Sequence, residues 1–215
     1  MSDAVKPRRK YDSSGRQEQA RQTRWAVLQA ARALFLARGY AATTIAAVAR
    51  EAGVSVETVY KAFENKPGLL KAVFDVAVAG DDEPIPIIQR DFVRRVHEEP
   101  DVRRKLAMYG EHVGGNAPRA GPVQLLIRQA AASDPGAAAV LEAMKEERRV
   151  GMGYFAAHLH GTGQLRADAT VDDVRDVLYL ALSDLFYEAL VVDQGWSPER
   201  YGRFIGDMLA AALLP

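Results

Sequence analysis

From residue 21 onward the apolar positions recur at steps of three and four, the spacing of one face of a helix. Val27, Leu28, Ala31, Leu34 and Phe35 form the first stripe, and Gly39 follows it where a left-handed residue can stop a helix. Thr43 or Thr44 offers the N-cap of a short second helix carrying Ile45, Val48, Ala49 and Ala52, which ends at Gly53. Ser55 caps a third helix with Val56, Val59, Tyr60 and Phe63. Pro67 suits the first turn of a fourth, whose apolar side is Leu69, Leu70, Val73, Phe74 and Ala77. Residues 80–86 are acidic and proline-bearing and read as a boundary.

Beyond the boundary the helical pattern continues. Ile87–Val96 is amphipathic. Pro100 and Asp101 open a segment expected to stop at Gly114-Gly115, and Pro122–Ala132 reads as a separate apolar run. Asp134-Pro135 predicts a long helix through Leu159, closed by Gly161 and Gly163. Thr170 with Asp173 resembles a capping box and predicts a helix to about Asp193, and Ser197-Pro198 opens the last one. Alternating β-branched runs and hairpin signals are absent, so the fold class is all-α.

Composition narrows the function classes. Of 215 residues none is cysteine, which excludes a disulfide framework and any cysteine metal site or nucleophile. Neither a secretory signal nor an uncharged apolar run of membrane-spanning length is present, so a cytoplasmic protein is expected. Net charge is zero, yet residues 1–75 hold thirteen Lys/Arg against seven Asp/Glu, a net of +6. The remainder carries the compensating −6. The asymmetry points to a polyanion-binding N-terminal end, or to plain scatter of charge. Residues 1–20, with Arg8, Arg9 and Lys10 among Pro and Ser, read as a flexible basic arm that follows a minor groove or only raises non-specific affinity.

Residues 44–63 have the layout of a helix-turn-helix, with Gly53 in the tight turn and small Ala49 and Ala52 where two helices cross. In that motif the N-terminal residues of the second helix meet base edges. Here they are Ser55, Val56, Glu57 and Thr58. Val56 suits a thymine methyl, while Glu57 either reads cytosine or rejects other operators. Tyr60 and Lys61 reach toward the backbone, with Asn65 and Lys66 just before the next helix.

An enzyme is the rival class. Gly151-Met-Gly153-Tyr-Phe-Ala156 fits the dinucleotide fingerprint, but a charged helical run precedes it instead of a strand. His158 and His160 are two apart and diverge on a helix, so they do not share a metal. The expectation is no catalytic residue, no metal and no cofactor. An architectural DNA binder without a ligand is a third class.

Residues 24–74 resemble the signature of the TetR family: Ala30-Ala31-Arg32, Leu34-Phe35, Arg38-Gly39-Tyr40, Ala42-Thr43-Thr44-Ile45, Val48 through Ser55, Thr58-Val59-Tyr60, Phe63, Asn65-Lys66 and Leu69-Leu70. Glu57 stands where the family commonly has a small residue, and Ala62 where it often has His or Tyr. The resemblance implies an N-terminal three-helix DNA-binding domain over 21–79, including a linking helix, then a helical-bundle domain over 80–215 for effector binding and dimerisation. It implies phosphate contacts from Thr44, Tyr60 and Lys66, helped by Arg21, Thr23 and Arg24. It also implies a homodimer on double-stranded DNA, and helices near 135–160 and 170–194 as the dimer interface. The wide apolar girth of the second, with Leu178, Leu182 and Phe186, accords with two buried contacts or with a central core helix. Adaptable or polar-tipped candidates for a small-molecule pocket are Met108, Tyr109, His112, Gln124 and Arg128, then Met144, Phe155, Tyr179 and Tyr187. An inward Arg128 needs an anionic partner, whereas an outward one is an ordinary surface arginine.

Overall fold

A computed structural model describes residues 14–215. The arm residues Arg8, Arg9 and Lys10 lie outside the described residues. The chain is helical: α1 (Ser14–Ala42), α2 (Ile45–Glu51), α3 (Val56–Phe63) and α4 (Lys66–Ala79) come first. A 3-10 turn (Ile87–Gln89), α5 (Asp91–Glu98), α6 (Val102–Ala131) and α7 (Pro135–His160) follow. Then come α8 (Val171–Ala181), α9 (Asp184–Phe186), a π-helical stretch (Tyr187–Asp193) and α10 (Pro198–Leu213). None of these helices is long and apolar enough to cross a membrane.

The caps fall where the short polar side chains stand. Thr44, Ser55, Asn65, Asp134 and Ser197 each accept a backbone N–H at the start of α2, α3, α4, α7 and α10. Thr170 and Asp173 complete both halves of the capping box on α8. Thr43 is not a cap: it is buried, and its hydroxyl donates to the Gly39 carbonyl at 2.9 Å.

Four boundaries differ from the sequence expectation. Residues 14–20 belong to α1, so the helix starts a full turn and more before Arg21. Gly39, at φ 79° and ψ 162°, kinks α1 and the helix resumes to Ala42. Helix α6 runs unbroken through Gly114, Gly115, Pro118 and Pro122. Two of its glycines are packing residues: Gly110 and Gly114 lie against the backbone of Gly202 and Gly206 on α10, so tertiary contact overrides low helix propensity. Conversely the helix expected to reach Asp193 ends at Ala181, and Ser183 caps a new turn leading into the π-helical stretch.

Two hydrophobic cores result. One joins α1–α4 to Val123, Leu126 and Ile127 of α6 and to Ala137, Val140 and Met144 of α7. The other gathers α5, the remaining faces of α6 and α7, α8 and α10. The seam expected at residue 80 is therefore bridged: α4 buries Leu69, Leu70, Val73 and Ala77 in a core it shares with the C-terminal helices.

Candidate functional site

The α2–α3 pair is built around a turn in which Gly53 takes φ 68°. Val48, Ala49, Val59 and Phe63 are buried, and this leaves the outer edge of α3 to solvent. Val56 is 41% and Tyr60 50% exposed, with Ser55, Glu57 and Lys61 also exposed. The Thr58 and Ser55 hydroxyls lie 2.8 Å apart, which orients Thr58 along the helix start. Exposed apolar and aromatic groups on a short helix, held from behind by a core, form a surface that fits a DNA groove.

Several flanking residues are less free than the sequence implied. Arg21 donates to Glu18 at 3.2 Å and to Asp82 at 3.0 Å, and so ties α1 to the loop after α4. Thr23 spends its hydroxyl on the Gln19 carbonyl. Arg24 lies 4.4 Å over the Phe63 ring and donates to the Ala62 carbonyl, at the back of α3. Lys66 is half-buried, with its ammonium 4.0 Å from the Tyr40 ring centroid and 3.4 Å from the Ala41 carbonyl oxygen. Burial there lowers its pKa. Asn65 turns its side chain to the Gly68 N–H as the α4 cap. Thr44 stays exposed at the start of α2.

A cavity of about 720 Å³ lies behind this unit. Its wall includes α4 (Ala72, Phe74, Val76, Val78, Ala79), residues 81–88, α5 and the middle of α6. One face of α7, Leu182 and Ser183 at the helix break, Tyr187 and Tyr201 complete it. Its size and apolar lining are those of a small-molecule site. The break between α8 and α9 has a spatial reason: it turns Tyr187 toward Gly121, where any Cβ would stand 2.4 Å from the Tyr187 ring.

Of the sequence candidates, Tyr109, His112, Gln124, Met144, Phe155 and Tyr187 line this cavity. Met108, Arg128 and Tyr179 do not. Met108 packs against the second core. Arg128 has the protein partner that an inward arginine needs, pairing with Asp184 at 3.1 Å and with Glu188. Tyr179 faces a shallow surface recess beside Lys145 and Arg149, with the Arg148 guanidinium 5.3 Å from its ring.

His112 is held neutral. Its ring stacks on Phe92 at 3.6 Å, its Nε2 accepts from Asn116 Nδ2 at 2.8 Å, and Asn116 Oδ1 in turn accepts from Arg119. Burial pushes its pKa down to about 4, with Arg119 and Arg95 adding to the effect. Near the α5 end, Lys105 is only 2% exposed and directs its ammonium at the carbonyls of Val96 and His97 and at His158 Nε2. Desolvation lowers the pKa of Lys105, His97 and His158 alike.

Sequence reasoning missed the lining from α4, residues 81–97, Gly121, Arg148 and Tyr201. A signal existed for Arg148. Met144, Arg148, Gly151 or Met152 and Phe155 follow at helical steps, so this arginine interrupts an apolar stripe.

Geometry thus defines a class: an all-helical protein with an N-terminal helix-turn-helix and a largely apolar, partly open cavity behind it. Residues 27–73 match the family described as bacterial regulatory proteins, tetR family. Over 58 residues the chain is 41% identical to the HTH-type transcriptional regulator TtgR of Pseudomonas putida, covering 27% of this chain and 28% of that protein. The match therefore spans little more than a quarter of that curated relative. Solved structures extend the likeness of fold to nearly the whole chain. NalD, the secondary repressor of the MexAB-OprM multidrug efflux pump in Pseudomonas aeruginosa, superposes with TM-score 0.68 at 19% identity, covering 91% of this chain and 98% of that one. FadR from Bacillus subtilis, solved with stearoyl-CoA, gives TM-score 0.69 at 19% identity over 87% and 98%. Residues 27–73 are thus similar to the segment that defines the tetR family of bacterial regulatory proteins, and the chain as a whole shares its fold with these solved structures.

Proposed function

We propose that the protein is a ligand-responsive transcriptional repressor that binds an inverted-repeat operator as a homodimer and is released by a small-molecule effector. The observation that carries this reading is the position of α4. One side of it is buried in the core of the DNA-reading unit, and Ala72, Phe74, Val76, Val78 and Ala79 line the cavity. A molecule that swells or reshapes the cavity pushes on the helix that holds the reader. The FadR complex with stearoyl-CoA is an instance of this fold with an organic molecule bound.

On the reader, Ser55, Val56, Glu57 and Thr58 face the bases, while Thr44, Tyr60, Lys61 and Lys66 face phosphates. Arg21, Thr23, Arg24 and Asn65 hold the frame through bonds within the protein. Two such readers on a two-fold axis must meet successive major grooves, about 34–36 Å apart. Leu178 is wholly buried inside one chain and takes no part in the interface. The dimer face proposed instead includes Leu185 and Val192, 60% and 54% exposed, with Phe186, Trp196 and Phe204 beside them. Such a regulator works in the cytoplasm, where its DNA is.

The test is reciprocal titration of the purified protein with operator and effector. Thermodynamic linkage requires each to weaken the other by one factor, roughly 5–150-fold for typical coupling of ~1–3 kcal/mol. An effector that binds in the cavity with equal affinity in the presence and absence of operator refutes the release mechanism.

A further inference from the structure

Several donors are left over deep in the cavity wall. Arg148, on α7, is half-buried, and among the described residues it has no hydrogen bond and no ion pair; the Tyr179 ring centroid lies 5.3 Å from its guanidinium. Desolvation lowers its pKa, the mark of a cation short of water and of a counter-ion. Tyr187 and Tyr201 line the same cavity, their rings 6.4 Å apart, and neither phenol has a hydrogen-bond partner among the described residues.

Most carboxylates on the wall are already taken. Asp81 is paired with Arg90, and Asp75 and Glu147 with Lys71. Asp82 accepts from Arg21, and its second oxygen is buried without a hydrogen-bond partner. Asp184, the carboxylate nearest in effect to Arg148, is paired with Arg128. Of the other lining arginines, Arg90 is held by Asp81, and Arg24 lies on Phe63 and donates to the Ala62 carbonyl. Glu83 is exposed on the rim, next to Ile87 and Ile88, which are also exposed. Elsewhere the lining is apolar, from Phe74, Val76, Val93, Val113 and Phe155 among others.

We propose that the cavity binds an amphipathic monocarboxylate, its head on Arg148 and the phenols of Tyr187 and Tyr201 and its apolar body against α4 and the Ile87–Ile88 rim. A carboxylate offers two oxygens to the guanidinium fork and lone pairs to both phenols. A cation would meet the Arg148 guanidinium, and the carboxylate oxygens still open to it are those of Glu83 at the exposed rim and the buried second oxygen of Asp82. A dianionic phosphate would bring a second charge that nothing on the wall neutralises. The inference rests on the ligand-sensor reading and specifies its chemistry.

The experiment titrates the full chain with decanoate, 1-decanol and decyltrimethylammonium, together with longer and shorter members of each series. Binding is read by displacement of anilinonaphthalene sulfonate and by calorimetry. Decanoate is expected to bind about tenfold or more tighter than the other two. R148M should weaken decanoate roughly 10–100-fold, the value of a charged hydrogen-bonded contact, and leave decanol within about twofold. R148K should fall between, since it keeps the charge and loses the fork. Should R148M not fold by circular dichroism, R148K and Y201F carry the same comparison. The proposal is overturned if decanol or the ammonium binds wild type as tightly as decanoate, or if the variants leave decanoate unchanged. In that case release of operator by decanol or the ammonium would keep the sensor reading alive. Binding by no member of any series overturns both.

Discussion

Neighbouring glycines on α6 should respond to alanine with opposite signs. A Cβ at Gly114 would stand 2.4 Å from the Pro198 carbonyl oxygen and 2.8 Å from Gly202 Cα. All of these atoms are backbone, so no side chain can rotate away. Restoring ordinary contact requires α6 and α10 to separate locally by about 1 Å. A gap of ~0.5–1 Å forfeits a quarter to a half of each dispersion contact across it. The affected region is the core that Leu106 and Tyr109 of α6 share with Tyr201, Ile205 and Leu209 of α10. Overpacking of this kind costs about 1–3 kcal/mol or more, against ~1 kcal/mol gained from helix propensity. Because the opposing atoms are backbone, the upper part of that range applies, for a net loss of about 2 kcal/mol. At Gly115 a Cβ meets nothing within 4 Å, so propensity alone acts and Gly115→Ala should gain about 0.5–1 kcal/mol. For a chain of this size the melting temperature moves by roughly 2–4 °C per kcal/mol. Thermal unfolding followed by circular dichroism at one fixed protein concentration should therefore show G114A several degrees below wild type and G115A slightly above it. Equal effects at the two positions would refute the claim that backbone contact sets the α6–α10 spacing.

Protonation of His112 should destabilise the fold. Its folded pKa, about 4, lies below the ordinary 6.5, so the unfolded chain takes up the proton first. Stability is full above about pH 6.5 and falls toward pH 4 by ~3 kcal/mol, and His112→Asn should flatten that part of the urea-midpoint profile. A wild-type and variant profile that stay parallel would count against it. Lys66→Ala should weaken operator binding on all sequences and reduce the salt dependence by about one ion, as measured by fluorescence anisotropy at several salt concentrations. An unchanged slope in a folded variant would remove Lys66 from the phosphate contacts. Leu185→Glu, which places a charge in the proposed dimer face, should yield monomers in sedimentation at micromolar concentration while circular dichroism stays helical. A stable dimer would shift the interface elsewhere.

Local structure was legible wherever it depended on neighbours in sequence. Apolar stripes at helical spacing gave the elements, and Ser, Thr, Asn and Asp before them gave the caps, from Thr44 to Ser197. The reader needs only such information, because α2, Gly53 and α3 are contiguous and their exposed edge is what the buried stripe leaves over. What depended on distant parts of the chain was not legible. Gly114-Gly115 reads as a stop until Gly202 lies against it, after which the same glycine permits one continuous helix of thirty residues. Leu178 and Leu185 are equally apolar in sequence, yet one is sealed in the core and the other faces outward, since the break after Ala181 changes the helix register between them. Arg128 and Arg148 look alike too, and only the fold gives one of them Asp184 and Glu188 and leaves the other without an ion pair among the described residues. Helical periodicity fixes which side of a segment is buried. The partner that buries it, and so the shape and polarity of the space between, is set by long-range packing that no local pattern encodes.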